Sequence, residues 1–209
     1  GHEVFGNDTL LGGYLDNIPN KTKFFQTNCT DLYSMSYLMK DMDIIYHCAA
    51  TAYEGLSVFS PCVVTENIVQ STVTTVTAAI KNKCKRIILC SSMARYGTNQ
   101  VPFTEDMDPR PQDPYGIGKV ASELLAKNLC DIHGLPWVIA VPHNIIGPRQ
   151  KYDDPYRNVA SIMINLMLQD RQPVIYGDGQ QKRCFSYIKD YINILEKLEF
   201  QNNAIGDTI

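Results

Sequence analysis

One stretch, Arg86 to Lys119, constrains this chain more than any other. It runs RIILCSSMARYG, then VPFTEDMDPRPQD, then PYGIGK. The apolar, β-branched run from Arg86 to Cys90 predicts a buried strand that delivers Ser91 and Ser92 to its C-terminal end. Open α/β sheets place their chemistry along that edge. After a polar, proline-rich loop, Pro114 and Tyr115 open a helix, with proline at the position where its fixed φ is an advantage. Tyr115 and Lys119 are four residues apart and share one helical face. A hydroxyl, a phenol and an ammonium are therefore expected to converge.

The rest of the composition narrows the function classes. A net charge of −3 over 209 residues carries no electrostatic footprint for nucleic acid. No run of about 18 apolar residues is present for a membrane helix, and GHEVFGNDTLLGG is not a secretory leader. The expectation is a cytoplasmic protein with neither a nucleic-acid nor a membrane partner. The seven cysteines are scattered, odd in number and never spaced as CxxC, so neither a disulfide framework nor a zinc site is expected. Cys29, Cys48, Cys90 and Cys184 lie in or beside apolar strand patterns, where a free cysteine serves as a small hydrophobe.

Taken in order, apolar segments alternate between strand and helix lengths, which argues for a parallel, doubly wound sheet. Strands are expected at Gly1 to Asn7, Lys23 to Gln26, Asp43 to Cys48, Arg86 to Cys90 and Trp137 to Val141. Helices are expected over LYSMSYLMKDM, Thr65 to Asn82, Pro114 to Ile132 and Asn158 to Gln169. The segment PVIYGDGQQKRCFSYIKD predicts a strand, a turn and a second strand. Another strand is expected to begin at Thr208 and Ile209. Asp8, at the end of the first of these strands, suits an acidic residue that accepts hydrogen bonds from an adenosine ribose. Such a residue follows a glycine fingerprint by about 20 positions, and only seven residues precede Asp8. On spacing alone Asp8 is equally a solvated loop carboxylate. The fingerprint strand and its helix are expected to lie outside the sequence, leaving the strand at Gly1 to Asn7 unbridged to the strand DIIYHC.

The pieces SSMARYG and PYGIGK, at this spacing, resemble the catalytic segment of the extended short-chain dehydrogenase/reductase family, and most closely its nucleotide-sugar epimerases. A lone YxxxK is a poor signal. The serine at a strand end, the YG after it and the ordered turns around it carry the resemblance. It implies an α/β fold: a Rossmann-like doubly wound parallel sheet, truncated, with the start of a smaller substrate-binding domain. Residues 1–150 would be the NAD-binding domain without its first strand and glycine loop, and residues 151–209 part of the nucleotide-sugar domain. The implied catalytic set is Ser92, Tyr115 and Lys119, with Ser92 rather than Ser91 selected by the match at ARYG.

For NAD the resemblance implies Asp8, the adenine-side pair Asn28 and Cys29, the turn Cys48, Ala49 and Ala50, and Pro142 together with Tyr115 and Lys119. For a nucleotide-sugar substrate, a UDP-hexose, it implies Ser92, Tyr115, Asn144 and Arg183, a planar guanidinium being suited to a diphosphate. Dehydratases of the family carry an acid and base after the catalytic serine or threonine, and decarboxylases a glutamate. Here those positions are Met93 and Ala94, which move no proton, and Arg95 stays protonated. The expected reaction is 4-epimerisation through a 4-keto sugar by a protein that is a homodimer when complete. A nucleotide-sugar reductase and a catalytically silent fragment or scaffold are the alternatives. Lys119, with an oxidised nicotinamide, is expected to lower the Tyr115 pKa. The 209 residues alone are expected neither to hold NAD tightly nor to turn over substrate.

Overall fold

The computed structural model describes residues 1–209. Its seven strands, all paired in parallel, fall into three separate ladders. Strand β1 (Phe5–Asp8) pairs with β2 (Lys23–Gln26). The central ladder runs β3 (Ile44–His47), β4 (Arg86–Cys90), β5 (Trp137–Ala140). A two-residue ladder joins β6 (Ile145–Ile146) to β7 (Ser186–Tyr187). No ladder connects β1 to β3, as the strand order predicted.

Strand β4 is buried at all five residues because helices cover both faces of a central parallel strand. Alternate residues then serve opposite layers. Ile87 and Leu89, with Trp137 and Ile139 of β5, face α1 (Leu32–Leu38), α4 (Ser71–Lys81) and α5 (Pro114–His133). Ile88, with Val138 and Ala140, faces Leu195 and Leu198 of α7 (Ile188–Phe200). The chain end returns to the sheet: Thr208 bridges Ile139 in parallel, and Ile209 exchanges backbone hydrogen bonds with Ile139 and Val141. The helices end where local chemistry ends them. Asp113 caps α5 by accepting from Gly116 N–H at 2.8 Å, Pro114 takes the first turn, and Gly134 stops the helix at φ +69°.

Two expected elements differ. The helix predicted over Thr65 to Asn82 is three pieces: α3 (Pro61–Thr65), a π turn at Glu66–Gln70, and α4. Hydroxyls explain the change of pitch. The Ile68 carbonyl accepts from Ser71 Oγ, Thr72 Oγ1 and, across from α5, Ser122 Oγ, so side chains take over bonds that a regular α-helix reserves for backbone N–H groups. The strand predicted at PVIY does not form: Pro173 to Tyr176 joins no ladder, and Val174, Ile175 and Tyr176 are exposed. Only Ser186 and Tyr187 of that region pair, with β6. Helix α2 (Glu54–Phe59) and helix α6 (Val159–Leu168) complete the chain, and no helix is long and apolar enough to cross a membrane.

Arg86 ties the layers together. Its buried guanidinium donates through Nη1 to the carbonyls of Leu198 (2.6 Å) and Glu199 (2.7 Å), and through Nη2 to Asn202 Oδ1 (2.7 Å). It thereby satisfies the C-terminal carbonyls of α7 and complements the negative end of that helix. Arg86→Met keeps the stem and strands these carbonyls. The complete protein should lose about 3 kcal/mol in urea unfolding, with an unchanged denaturant slope; a loss under about 1 kcal/mol would show that the helix end finds other partners.

Candidate functional site

The C-terminal ends of β3 and β4 and the first turns of α5 and α2 meet at one corner. Val64, Ile68, Ala94 and Tyr115 form its small apolar cluster, with Ala50 and Leu56 packed on it. Helix α5 comes close to the turn after β4 because residue 116 is glycine: a Cβ there would stand 2.8 Å from the Ala94 carbonyl oxygen. Gly116 in PYGIGK thus brings Tyr115 down against the serine turn, whereas a Cβ at Gly118 would meet Ile68 only at an ordinary contact distance of 3.5 Å.

The two serines face opposite ways, as adjacent strand residues must. Ser91 Oγ donates to Glu123, which also accepts from Arg95 Nε at 3.0 Å, making a buried triad on the α5 side. Ser92 caps the short turn Met93–Arg95 by accepting from Ala94 N–H at 3.2 Å, and its hydroxyl is the nearby polar group that favours the ionised Tyr115 phenol. Lys119 is buried, and its ammonium donates to the Cys90 carbonyl at 2.9 Å while lying 6.0 Å from the Tyr115 ring centroid.

The protein groups alone raise the Tyr115 pKa. Burial drives the Tyr115 pKa up to about 12, the Ser92 hydroxyl opposes the rise, and the carboxylates of Glu54 and Asp113 add to it. Lys119 contributes nothing resolvable to that phenol, since its ammonium is turned onto a backbone carbonyl and is itself held below the usual lysine value by burial. His47, also buried, is lowered to about 3 by burial first and by Lys119 second. Thr72 gives its hydroxyl proton to Ile68 O, so His47 Nε2 donates to Thr72 Oγ1 at 3.1 Å and the ring is the neutral Nε2–H form.

A cavity of about 370 Å³ lies between the β1 and β3 ladders, next to this corner. Asp8, Asn28, Cys29, Cys48, Ala49 and Ala50 all line it. One Asp8 oxygen accepts from Leu10 N–H at 2.7 Å and the other has no bond within the chain. Asn28 Oδ1 accepts from Thr30 N–H, leaving its amide nitrogen free. The remaining predicted residues stand outside that cavity. Pro142 accepts at its carbonyl from Met93 N–H, Asn144 donates to the Cys184 carbonyl at 2.9 Å, and Arg183 is exposed, its charge felt by Glu54. Tyr115, Lys119 and Ser92 occupy the corner.

Three residues of this region had no signal in the sequence. Arg157 reaches from the loop before α6 to Gly12 O (2.7 Å) and to the Tyr53 hydroxyl (3.3 Å); Tyr53 donates to Asp154. Arg157 Nε, 3.4 Å from Asp154, is buried with no hydrogen-bond partner, and the side chain lines the cavity. Glu54, at the start of α2, has its pKa raised by burial and then by Asp113, with Arg183 opposing. No motif marks any of the three; a fold over more than 100 positions brings Arg157 to Gly12 and Tyr53.

A family model, NAD dependent epimerase/dehydratase family, matches residues 1–204. The chain is similar to a UDP-N-acetyl-alpha-D-glucosaminuronate decarboxylase of Bacillus cytotoxicus, 31% identical over 92% of this chain and 62% of that protein. It is similar to a UDP-glucose 4-epimerase of Mycolicibacterium smegmatis, 29% identical over 92% of this chain and 64% of the other. Among solved structures, UDP-glucuronic acid 4-epimerase from Bacillus cereus, in complex with UDP-glucuronic acid and NAD, superposes with a TM-score of 0.87 at 28% identity, covering 99% of this chain and 68% of that one. The chain thus spans roughly two thirds of the length of these relatives.

The neutral state of His47 gives a pH test. Its folded pKa lies below the unfolded one, so its contribution is complete above about pH 6.5 and is lost as pH falls toward 3. At pH 5 the complete protein should be about 2 kcal/mol less stable than at pH 7.5 on this account. His47→Asn should remove that difference in paired urea titrations; an equal pH loss in both proteins would assign the effect elsewhere.

Proposed function

Because the chain belongs to the NAD-dependent epimerase/dehydratase family, we propose that the complete protein is a nucleotide-sugar 4-epimerase acting on a UDP-hexose. The observation that carries this reading is the corner itself. A serine hydroxyl, a phenol and a buried ammonium meet there, while the neighbouring positions that would hold an extra acid or base are Met93 and Ala94, the latter buried in the apolar cluster. Dehydration and decarboxylation both need a further proton-handling group in the family pattern. Epimerisation needs only one group that takes and returns a single proton.

The cavity beside β1 fits NAD by its donor set. The free oxygen of Asp8 suits ribose hydroxyls, the Asn28 amide suits a base edge, and the small turn Ala49–Ala50 lets backbone approach closely. The Arg157 guanidinium, paired to Asp154 at 3.4 Å and lining the cavity, adds positive charge at its wall that suits an anionic pyrophosphate. When bound, the oxidised nicotinamide would supply a hydride acceptor and a fixed positive charge.

The protein groups then have separate tasks. Tyr115 takes the proton from the sugar 4-hydroxyl as hydride leaves the same carbon, and returns it after the keto sugar has presented its other face. A phenol held near 12 is protonated at neutral pH, so this step requires positive charge beside it. Lys119 is that charge on the protein side: released from the Cys90 carbonyl, it would stabilise the phenolate. Ser92, the polar neighbour of the phenol, would place the reacting oxygen. Asn144 and Arg183, on the loops joined by the Asn144–Cys184 bond, would hold the diphosphate.

Replacement of the base isolates the assignment. In the complete protein, Tyr115→Phe keeps the ring in its apolar cluster and removes only the proton acceptor. Turnover of a UDP-hexose, followed without added reductant, should fall about 10²–10⁴-fold with NAD still bound. Wild-type turnover in this variant would sink the assignment, and net consumption of NADH by the wild-type protein would favour a reductase instead.

A further inference from the structure

The corner holds a second chemical feature that the proposed reaction does not use. Cys48 follows β3 and Cys90 ends β4, at positions that continue the register His47↔Leu89 of two neighbouring parallel strands. Their side chains turn to the same face, and the two sulfurs are 3.5 Å apart, in hydrogen-bond contact. Adjacent strands stand about 4.8 Å apart, inside the range of Cα separations that a disulfide spans. Both cysteines are free thiols in this structure.

We propose that Cys48 and Cys90 form a reversible thiol-oxidation site, closing to an intrachain disulfide under peroxide. The groups around the pair favour it. Cys90 Sγ is in contact with the Tyr191 hydroxyl of α7 at 3.4 Å, and the Lys119 ammonium is held on the carbonyl of the same residue. With the Cys48 thiol as the hydrogen-bond donor, the Cys90 thiol is lowered below its ordinary value, chiefly by that bond, against burial, with Tyr191 and Lys119 assisting. Cys48, whose side chain is exposed while Cys90 is buried, is raised chiefly by the bond it gives. Cys90 is therefore the thiol favoured to ionise first. The other five cysteines have no sulfur partner: Cys62 and Cys184 are exposed singly, and Cys29, Cys84 and Cys130 are buried apart.

The chemistry closes with peroxide as the oxidant. The Cys90 thiolate attacks one peroxide oxygen, the O–O bond breaks, the departing hydroxide takes a proton to leave as water, and Cys90 becomes a sulfenic acid. The Cys48 sulfur, losing its proton, attacks Cys90 Sγ; the S–O bond breaks and a second water leaves. The two thiols lose two electrons and two protons, and the peroxide is reduced to two waters. The product links the turn that carries Ala49 and Ala50 to the strand that carries Ser91 and Ser92, so that cavity and corner are joined covalently.

The test is a peptide map of the complete protein, reduced, freed of reductant, and exposed to hydrogen peroxide before free thiols are blocked with N-ethylmaleimide. Tryptic cleavage at Arg86 and Arg95 isolates Cys90, and a glutamyl endopeptidase cutting at Glu54 separates Cys48 from Cys62. The expected product is a Cys48–Cys90 cross-linked peptide, at least about ten-fold above any other cysteine pair in the chain and abolished by dithiothreitol. In Cys48→Ser the resolving thiol is gone, and Cys90 should be trapped as its sulfenic acid by dimedone. Independent oxidation of the two cysteines without a cross-link would overturn the proposal. So would a Cys48–Cys48 link between two chains as the main product, or dimedone labelling of Cys62 or Cys184 ahead of Cys90 in the Cys48→Ser protein.

Discussion

A buried ammonium at the end of β4 is the constraint around which this molecule is arranged. Lys119 is out of water and is not hydrogen-bonded to a carboxylate; its one protein acceptor is the Cys90 carbonyl. Burying an incompletely paired cation costs several kcal/mol, and the cost is visible in its neighbours. His47, held neutral chiefly by its own burial, and Cys90, eased toward its thiolate chiefly by Cys48, both receive a further push from this charge. The same bond pins α5 to the edge of the sheet, which sets where Tyr115, one turn earlier, meets Ser92.

The nearest carboxylate that could have neutralised Lys119 is committed elsewhere. Glu123, one turn further along α5, accepts from both Arg95 and Ser91 in a buried cluster. A charge already paired attracts a neighbour less than a free one, so Glu123 only partly offsets the burial that holds the Lys119 pKa down. This also explains why the segment after the serines carries an arginine that does no proton chemistry. Arg95 holds Glu123, and Glu123 holds Ser91 away from the phenol.

A second level of organisation links distant segments over the cavity. Tyr14 donates to Asp153, Asn17 to the Arg149 carbonyl, and Arg157 to the Gly12 carbonyl, so the loop before α6 lies across the loop after β1. At the far side, α7 and the terminal residues return to the central sheet through Arg86 and Ile139, so residues beyond 188 stabilise the layer that carries the corner.

Much of this was legible in the residues, and the reason is local. A continuous apolar run such as RIILC can only be a strand covered on both faces, and Asp113-Pro114 followed by Gly134 delimits a helix by backbone chemistry alone. Tyr115 and Lys119 share a face because helical pitch requires it, and Ser91 and Ser92 diverge because strand geometry requires it. Where backbone and side chain competed, the residues misled: the hydroxyls of Ser71 and Thr72 turn part of one predicted helix into a π turn, and the apolar PVIY stays out of any ladder. The burial that raises the Tyr115 pKa was not legible either, because a charge four residues away is a sequence fact whereas its direction and its solvation are not. The sequence by itself determined the family, the sheet and the placement of the serine, phenol and ammonium at one edge. Only the tertiary structure decided that Arg157 reaches the cavity and that Cys48 touches Cys90. It likewise decided that Lys119 spends its hydrogen bond on a carbonyl, because burial, desolvation and contacts between distant segments have no period for a sequence to display.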